Sequence, residues 1–185
     1  MDTHSPVVRL EMIQAILALA PTCKLIIHQL DIKGAYLNGT LREKIYMKQP
    51  EGYNDGTSCI CLLIKTLYGL KQAGREWNLE LNRKLRKWGY ICLRSDSCMY
   101  MWHDDDDFII IAVWIDDMLI FATTDQLKSK AIADVENEWE ITNIGIPTKI
   151  IGIELMIAPD SISISSSRYI ESILIKEGLD KSNAK

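Results

Sequence analysis

From Phe108 to Ala122 the chain is apolar at every position except two, Asp116 and Asp117, which stand side by side. An apolar stretch of this length has to be buried, and two adjacent anions resist burial with it, so the chain is expected to reverse direction at the acids. Strands over 108–115 and 118–122, joined in a hairpin with the aspartates at its tip, satisfy both demands. The tightest hairpin turns favour Asn-Gly or Asp-Gly, because both central positions can require positive φ, so two neighbouring acids are a poor choice for the turn alone. Two unit charges about 4 Å apart repel by roughly 4 kcal/mol at an effective dielectric of about 20, a cost that a bound divalent cation relieves. Taken by itself, the pair also reads as a solvated hairpin tip.

A third acid changes the balance. Asp31 follows an apolar strand expected over 24–30, and Ile32 behind it can offer a backbone carbonyl. Three carboxylates from two strands can hold two Mg²⁺ ions, which take oxygen ligands in octahedral geometry and accept substrate phosphates in the remaining positions. Such a site suits phosphoryl transfer: one ion lowers the pKa of an attacking 3′-hydroxyl and the other neutralises the leaving pyrophosphate. The four acids Asp104 to Asp107 do not compete for this role, because consecutive residues of a strand end alternate in direction and repel; they read as a solvated loop. His4, His28 and His103 have no spacing that suggests a metal or a general base.

The remaining elements are expected in the order helix 8–20, ended by Pro21; the strand 24–30; strands 45–48 and 59–64 around a turn-rich 50–58; helix 74–88, with Trp77, Leu81, Leu85 and Trp88 on one face; strand 98–102; the hairpin; helix 126–139; strands 149–157 and 161–165; and helix 169–177. Strands and helices alternate without a regular βα repeat, so the fold class is α+β, one antiparallel sheet backed by helices that brings Asp31 beside the hairpin.

Composition sets limits on partners. A net charge of −4 argues against a general nucleic-acid coat. Charge is uneven, however: from Lys65 to Arg94 there are eight basic and two acidic residues, a stretch able to face phosphates or, more plainly, solvent. The five cysteines include no CxxC pair and are expected to be reduced and mostly buried. No apolar run is long enough to cross a bilayer and no leader pattern opens the chain, so an intracellular, cytoplasmic protein without membrane partners is expected.

Three motifs then fall into place. Asp31-Ile-Lys-Gly-Ala-Tyr-Leu-Asn-Gly39, Tyr68-Gly-Leu-Lys-Gln-Ala-Gly-Arg-Glu-Trp77 and Trp114-Ile-Asp-Asp117 resemble, in order and spacing, the central polymerase motifs of copia-type retrotransposon reverse transcriptases. Ser5 to Arg9, Ile150 to Leu155 and Ser167 to Ile170 resemble flanking segments of the same family, so the likeness covers nearly the whole chain. The resemblance implies a polymerase palm with partial fingers, two Mg²⁺ ions, an RNA or DNA template with its primer, and deoxynucleoside triphosphates as substrates. It implies Asp31, Asp116 and Asp117 as catalytic metal ligands, with Ile32 as a backbone ligand. Tyr36 would sit under the incoming sugar and exclude a 2′-hydroxyl, and Gln72 would lie near nucleotide and template. Lys71 and Arg75 would touch phosphate, and Gly152 would let the primer backbone approach closely. Read without the family, Tyr36 is a buried aromatic, Lys71 and Arg75 decorate a helix start, and Gly152 marks a bulge.

Two departures qualify the likeness. Trp114 stands where the family commonly has Tyr, which keeps the aromatic bulk and loses the hydroxyl. The basic fingers segment expected ahead of the palm, and any RNase H behind it, are absent from 1–185, so a fragment of a longer polyprotein is expected. The alternative reading is an inactive, truncated element product with at most nucleic-acid binding; a palm-like cyclase or a DNA-templated polymerase fits the acids but leaves Tyr68 to Trp77 unexplained.

Overall fold

The computed structural model describes residues 5–158 and 160–179. Its centre is a six-stranded sheet, in the order β4-β5-β6-β7-β1-β8, formed by β1 (Ile26–Ile32), β4 (Ile91–Cys92), β5 (Met99–Asp104), β6 (Asp107–Trp114), β7 (Asp117–Ala122) and β8 (Ile141–Gly145). Every pairing is antiparallel. β6 and β7 form the expected hairpin, with its turn one residue early, on Ile115 and Asp116 rather than on the two aspartates, and β1 lies on the other side of β7, so the two most apolar segments of the chain occupy the middle of the sheet.

Alternation along these strands sends side chains to two cores. Leu30, Ile32, Ile109, Ile111, Val113, Met118 and Ile120 face one way and pack against α2 (Ala73–Lys87) through Trp77, Leu81 and Leu85, and against α3 (Asp125–Glu136) through Ala131 and Val135. Ile27, Ala112, Leu119 and Phe121 face the other way, onto Ile13, Ile16 and Leu17 of α1 (Leu10–Leu19). α3 opens on Thr124, whose hydroxyl accepts the Leu127 amide, and α2 stops at Gly89, which supplies the positive φ that ends a helix.

Two smaller sheets flank the centre. β2 (Thr40–Lys48) and β3 (Ile60–Lys65) form a ribbon, tied to α2 by Arg42 on β2, whose guanidinium lies 3.2 Å from the buried Glu76. β9 (Lys149–Ile150), β10 (Ile153–Ala158) and β11 (Ser161–Ser165) form a three-stranded sheet, followed by α4 (Ser167–Lys176), which buries none of its residues.

The α+β class and most elements match expectation. β4 and β8 are additions to it; the first is two residues long, and the second carries Thr142 and Asn143 in a pattern with no apolar periodicity. The 149–157 strand is split by a two-residue turn at Ile151 and Gly152, both at positive φ. The acidic loop is as expected, with Asp104 paired to Asp107 across a tight, exposed turn. The cysteines differ: Cys98 is buried, Cys61 and Cys92 are half-buried, and Cys23 and Cys59 are exposed, because the latter two fall in loops rather than in the apolar strands. Among the described residues no helix is long and apolar enough to cross a membrane.

The layering predicts an asymmetry in stability. Leu85 is fully buried against the sheet, and Leu85→Ala should cost about 2–5 kcal/mol in urea unfolding. Ile175 on α4 is 65% exposed, and Ile175→Ala should stay within about 0.5 kcal/mol.

Candidate active site

The three acids meet at one end of the central sheet. In the β1–β7 ladder Asp31 is directly opposite Asp117, so their side chains leave the same face, two residues beyond Gln29 on one strand and Leu119 on the other. Asp116 occupies the hairpin turn between β6 and β7, and its carbonyl accepts the Ile32 amide at 2.8 Å, which stitches the turn to the end of β1. Asp31 is the penultimate residue of β1 rather than the residue after the strand, and Ile32 is completely buried.

The turn itself is strained. Ile115 has φ of 57°, a conformation that β-branched residues adopt only when their surroundings impose it. Asp116 is not among the positive-φ residues, so one central position rather than both is left-handed. The restraint comes from α2: the indole Nε1 of Trp77 donates to the Ile115 carbonyl at 3.0 Å, and Trp77 is itself buried, edge-on to Trp139 at 5.2 Å.

The carboxylate of Asp116 is unevenly partnered. One oxygen, Oδ2, accepts the Tyr68 hydroxyl across a long 3.4 Å contact, while Oδ1 is buried with no hydrogen-bond partner. Burial pushes its carboxyl above the ordinary range and the charge of Asp31 adds to this; the Tyr68 hydrogen bond works the other way, and the charge of Asp117 raises it further. Tyr68 responds in kind, its phenol raised first by loss of solvent and then by the charge of Asp116. Asp117 is held differently, with Oδ1 accepting the side-chain amide of Gln29 at 2.8 Å.

Among the other expected residues, Tyr36 is drawn in. It sits in a short 3₁₀ turn, Ala35–Asn38, directly after β1, and its ring lies 5.2 Å from that of Tyr68. The turn is fixed by the buried Thr66, whose hydroxyl donates to the Tyr36 carbonyl. Gly39 closes the segment where no side chain fits: a Cβ there would lie 2.6 Å from Thr66 Oγ1 and 2.9 Å from the backbone nitrogen of Trp77. Lys71 is exposed and Gln72 half-buried at the start of α2, and among the described residues no hydrogen bond links either to the acids. Arg75 lies 3.6 Å from Glu76, the same buried acid that Arg42 reaches. Gly152 forms the β9–β10 turn in open space, where a Cβ would meet nothing within 4 Å, so the turn's positive φ is sufficient to require it.

Gln29 and Tyr68 are the members of the site beyond those expected. Gln29 carries a readable signal, a polar residue in an apolar strand at the same parity as Asp31. Tyr68 opens the second of the three motifs, but nothing in its local sequence points at Asp116.

Oxygen donors of this kind suit Mg²⁺, and the unpaired, buried Oδ1 of Asp116 amid two further negative charges is what a cation would satisfy. Among the described residues no group of three or more His, Cys, Asp or Glu side chains is placed to hold a metal ion.

Comparison with known proteins agrees with these motifs. The family described as reverse transcriptase (RNA-dependent DNA polymerase) matches residues 1–185. A retrovirus-related Pol polyprotein from transposon TNT 1-94 of Nicotiana tabacum is 36% identical over 100% of this chain and 14% of its own length. The corresponding polyprotein from transposon RE1 of Arabidopsis thaliana is 31% identical over 96% of this chain and 12% of its own. The transposon Ty1-DR1 Gag-Pol polyprotein of Saccharomyces cerevisiae is 30% identical over 90% of this chain and 9% of its own. No solved structure matches. The chain belongs to the reverse transcriptase (RNA-dependent DNA polymerase) family, in its copia-type form from the Pol polyproteins of transposons. It spans less than one sixth of the length of these relatives.

The raised Asp116 carboxyl fixes a sign. A carboxylate whose folded pKa exceeds its unfolded value penalises the folded state once pH rises above the unfolded value, near 3.8, and the penalty is complete above the folded value. Asp116→Asn removes the penalty, so in the absence of divalent ions the variant should melt higher than the parent at neutral pH. The difference should disappear as pH falls below about 4, and thermal melts across pH check this.

Proposed function

We propose that residues 1–185 form a palm-centred polymerase unit in which Asp31, Asp116 and Asp117 hold two Mg²⁺ ions and direct nucleotidyl transfer from a deoxynucleoside triphosphate to a primer 3′-hydroxyl on an RNA or DNA template. The observation that carries this reading is the ladder that sets Asp31 opposite Asp117, with Asp116 beside them keeping a buried oxygen unpaired. When bound, the ions supply Lewis-acid polarisation of the phosphate and a lowered pKa for the attacking hydroxyl.

The chain's own residues do the rest. Asp31 and Asp117 present carboxylates from one face of adjacent strands, and the backbone bond from Ile32 to Asp116 holds the turn against them, with the Ile32 carbonyl as a further oxygen. Tyr36, its ring tilted against that of Tyr68, lies under the sugar and excludes a 2′-hydroxyl by bulk. Gln72 contacts nucleotide and template, Lys71 and Arg75 contact phosphates, and the β9–β10 turn at Gly152 meets the primer backbone. The basic stretch from Lys65 to Arg94 gives this region the charge that phosphates require, against the net negative charge of the whole. The β2–β3 ribbon is the part of the fingers carried by this chain.

Asp31→Asn, Asp116→Asn and Asp117→Asn should each lower Mg²⁺-dependent primer extension by more than about a hundredfold, as removal of several kcal/mol of charge stabilisation requires. Extension at the parental rate by any of them would remove that acid from the site. Tyr36→Ala should raise incorporation of ribonucleotides relative to deoxyribonucleotides by about tenfold in single-nucleotide competition assays.

A further inference from the structure

β1 carries one residue that the fold does not need. Its sequence is Ile-Ile-His-Gln-Leu-Asp-Ile, and Gln29 in its middle is 5% exposed, a buried amide on the face where Ile27, Leu119 and Phe121 build an apolar core. An apolar residue there would extend that core. The amide instead reaches diagonally across the ladder, from its own partner Leu119 to the next residue on that face, and donates from Nε2 to Asp117 Oδ1 at 2.8 Å. Among the described residues the Asp117 carboxylate accepts no other hydrogen bond, so Oδ2 is the oxygen left for a ligand.

We propose that Gln29 is a positioning residue that fixes the rotamer of Asp117 and decides which of its oxygens faces the divalent cations. This rests on the reading of Asp117 as a metal ligand. The choice of residue type follows from the charges. A lysine or arginine at 29 would hold Asp117 equally well but would cancel the negative charge that attracts Mg²⁺. A leucine would leave the carboxylate free to turn between Asp31 and solvent. A neutral donor restrains the carboxylate and leaves its charge intact, and partners behind metal ligands act in this way. Tyr68 relates to Asp116 as Gln29 does to Asp117, a neutral donor on one oxygen, but through a longer and more exposed contact.

The test uses Gln29→Met, which keeps length and volume and removes the donor, with Asp117→Asn as reference. Mn²⁺ binding to the 185-residue chain is read by electron paramagnetic resonance and calorimetry, and melting temperature is the control for folding. Gln29→Met should fold like the parent and bind Mn²⁺ about tenfold or more weakly. In primer extension it should raise the Mg²⁺ concentration for half-maximal rate by a similar factor, with the KM for nucleotide little changed at saturating Mg²⁺. Unchanged Mn²⁺ affinity in Gln29→Met, alongside weakened binding in Asp117→Asn, would overturn the role of Gln29 and leave the site reading standing. Unchanged affinity in Asp117→Asn would overturn both. If Gln29→Met does not fold, Gln29→Asn carries the same test, since it keeps the amide but withdraws it by one methylene.

Discussion

The pairing of β1 with β7 is the interaction on which everything else in this chain depends. Its register is what turns two acids far apart in sequence into neighbours, and a shift by one residue would send Asp31 to the opposite face. That register is protected on both sides. Leu30, Ile32, Met118 and Ile120 point into one core and Ile27, Leu119 and Phe121 into the other, so any slip would exchange the occupants of two packed layers at once. Burial on both faces makes the central strands near-continuous apolar runs, and it lets the structure tolerate the repulsion at their ends.

The end of the sheet is held by neutral groups. Gln29, Tyr68 and the amide of Ile32 all donate to the acids or their backbone, and the Trp77 indole fixes the turn that presents them. Among the described residues no lysine or arginine forms an ion pair with Asp31, Asp116 or Asp117, although the chain has 21 basic residues and places several on α2. The negative potential is therefore retained, which is the condition for attracting a divalent cation.

The central hairpin is legible in the sequence because its two strands are nearly continuous apolar runs interrupted by the acids, although the turn falls one residue before the place the acids suggest. The amphipathic α2 is legible for the same kind of reason, with Trp77, Leu81 and Leu85 at helical spacing. What could not be read depends on partners distant in sequence. β8 exists by pairing with β1, not by its own pattern, and the exposure of Cys23 and Cys59 follows from where their loops lie. At the site, the identities of the acids are readable from spacing and motif, whereas the hydrogen bonds from Gln29 and Tyr68 require the ladder and the β3–α2 connection to be closed first. The left-handed Ile115 is hidden too, since no residue type advertises that conformation less than a β-branched one.

Gly39 gives this arrangement a mechanical vulnerability. It touches Thr66 on one side and the main chain of Trp77 on the other, and Trp77 in turn grips the carbonyl of Ile115, next to Asp116. Any side chain at position 39 would act as a wedge under α2 and be felt at the acidic tip through a single indole. Such a wedge would leave Asp31, Asp116 and Asp117 in the chain and still displace the turn that presents them, so one methyl group standing where a hydrogen belongs is enough to disturb this end of the sheet.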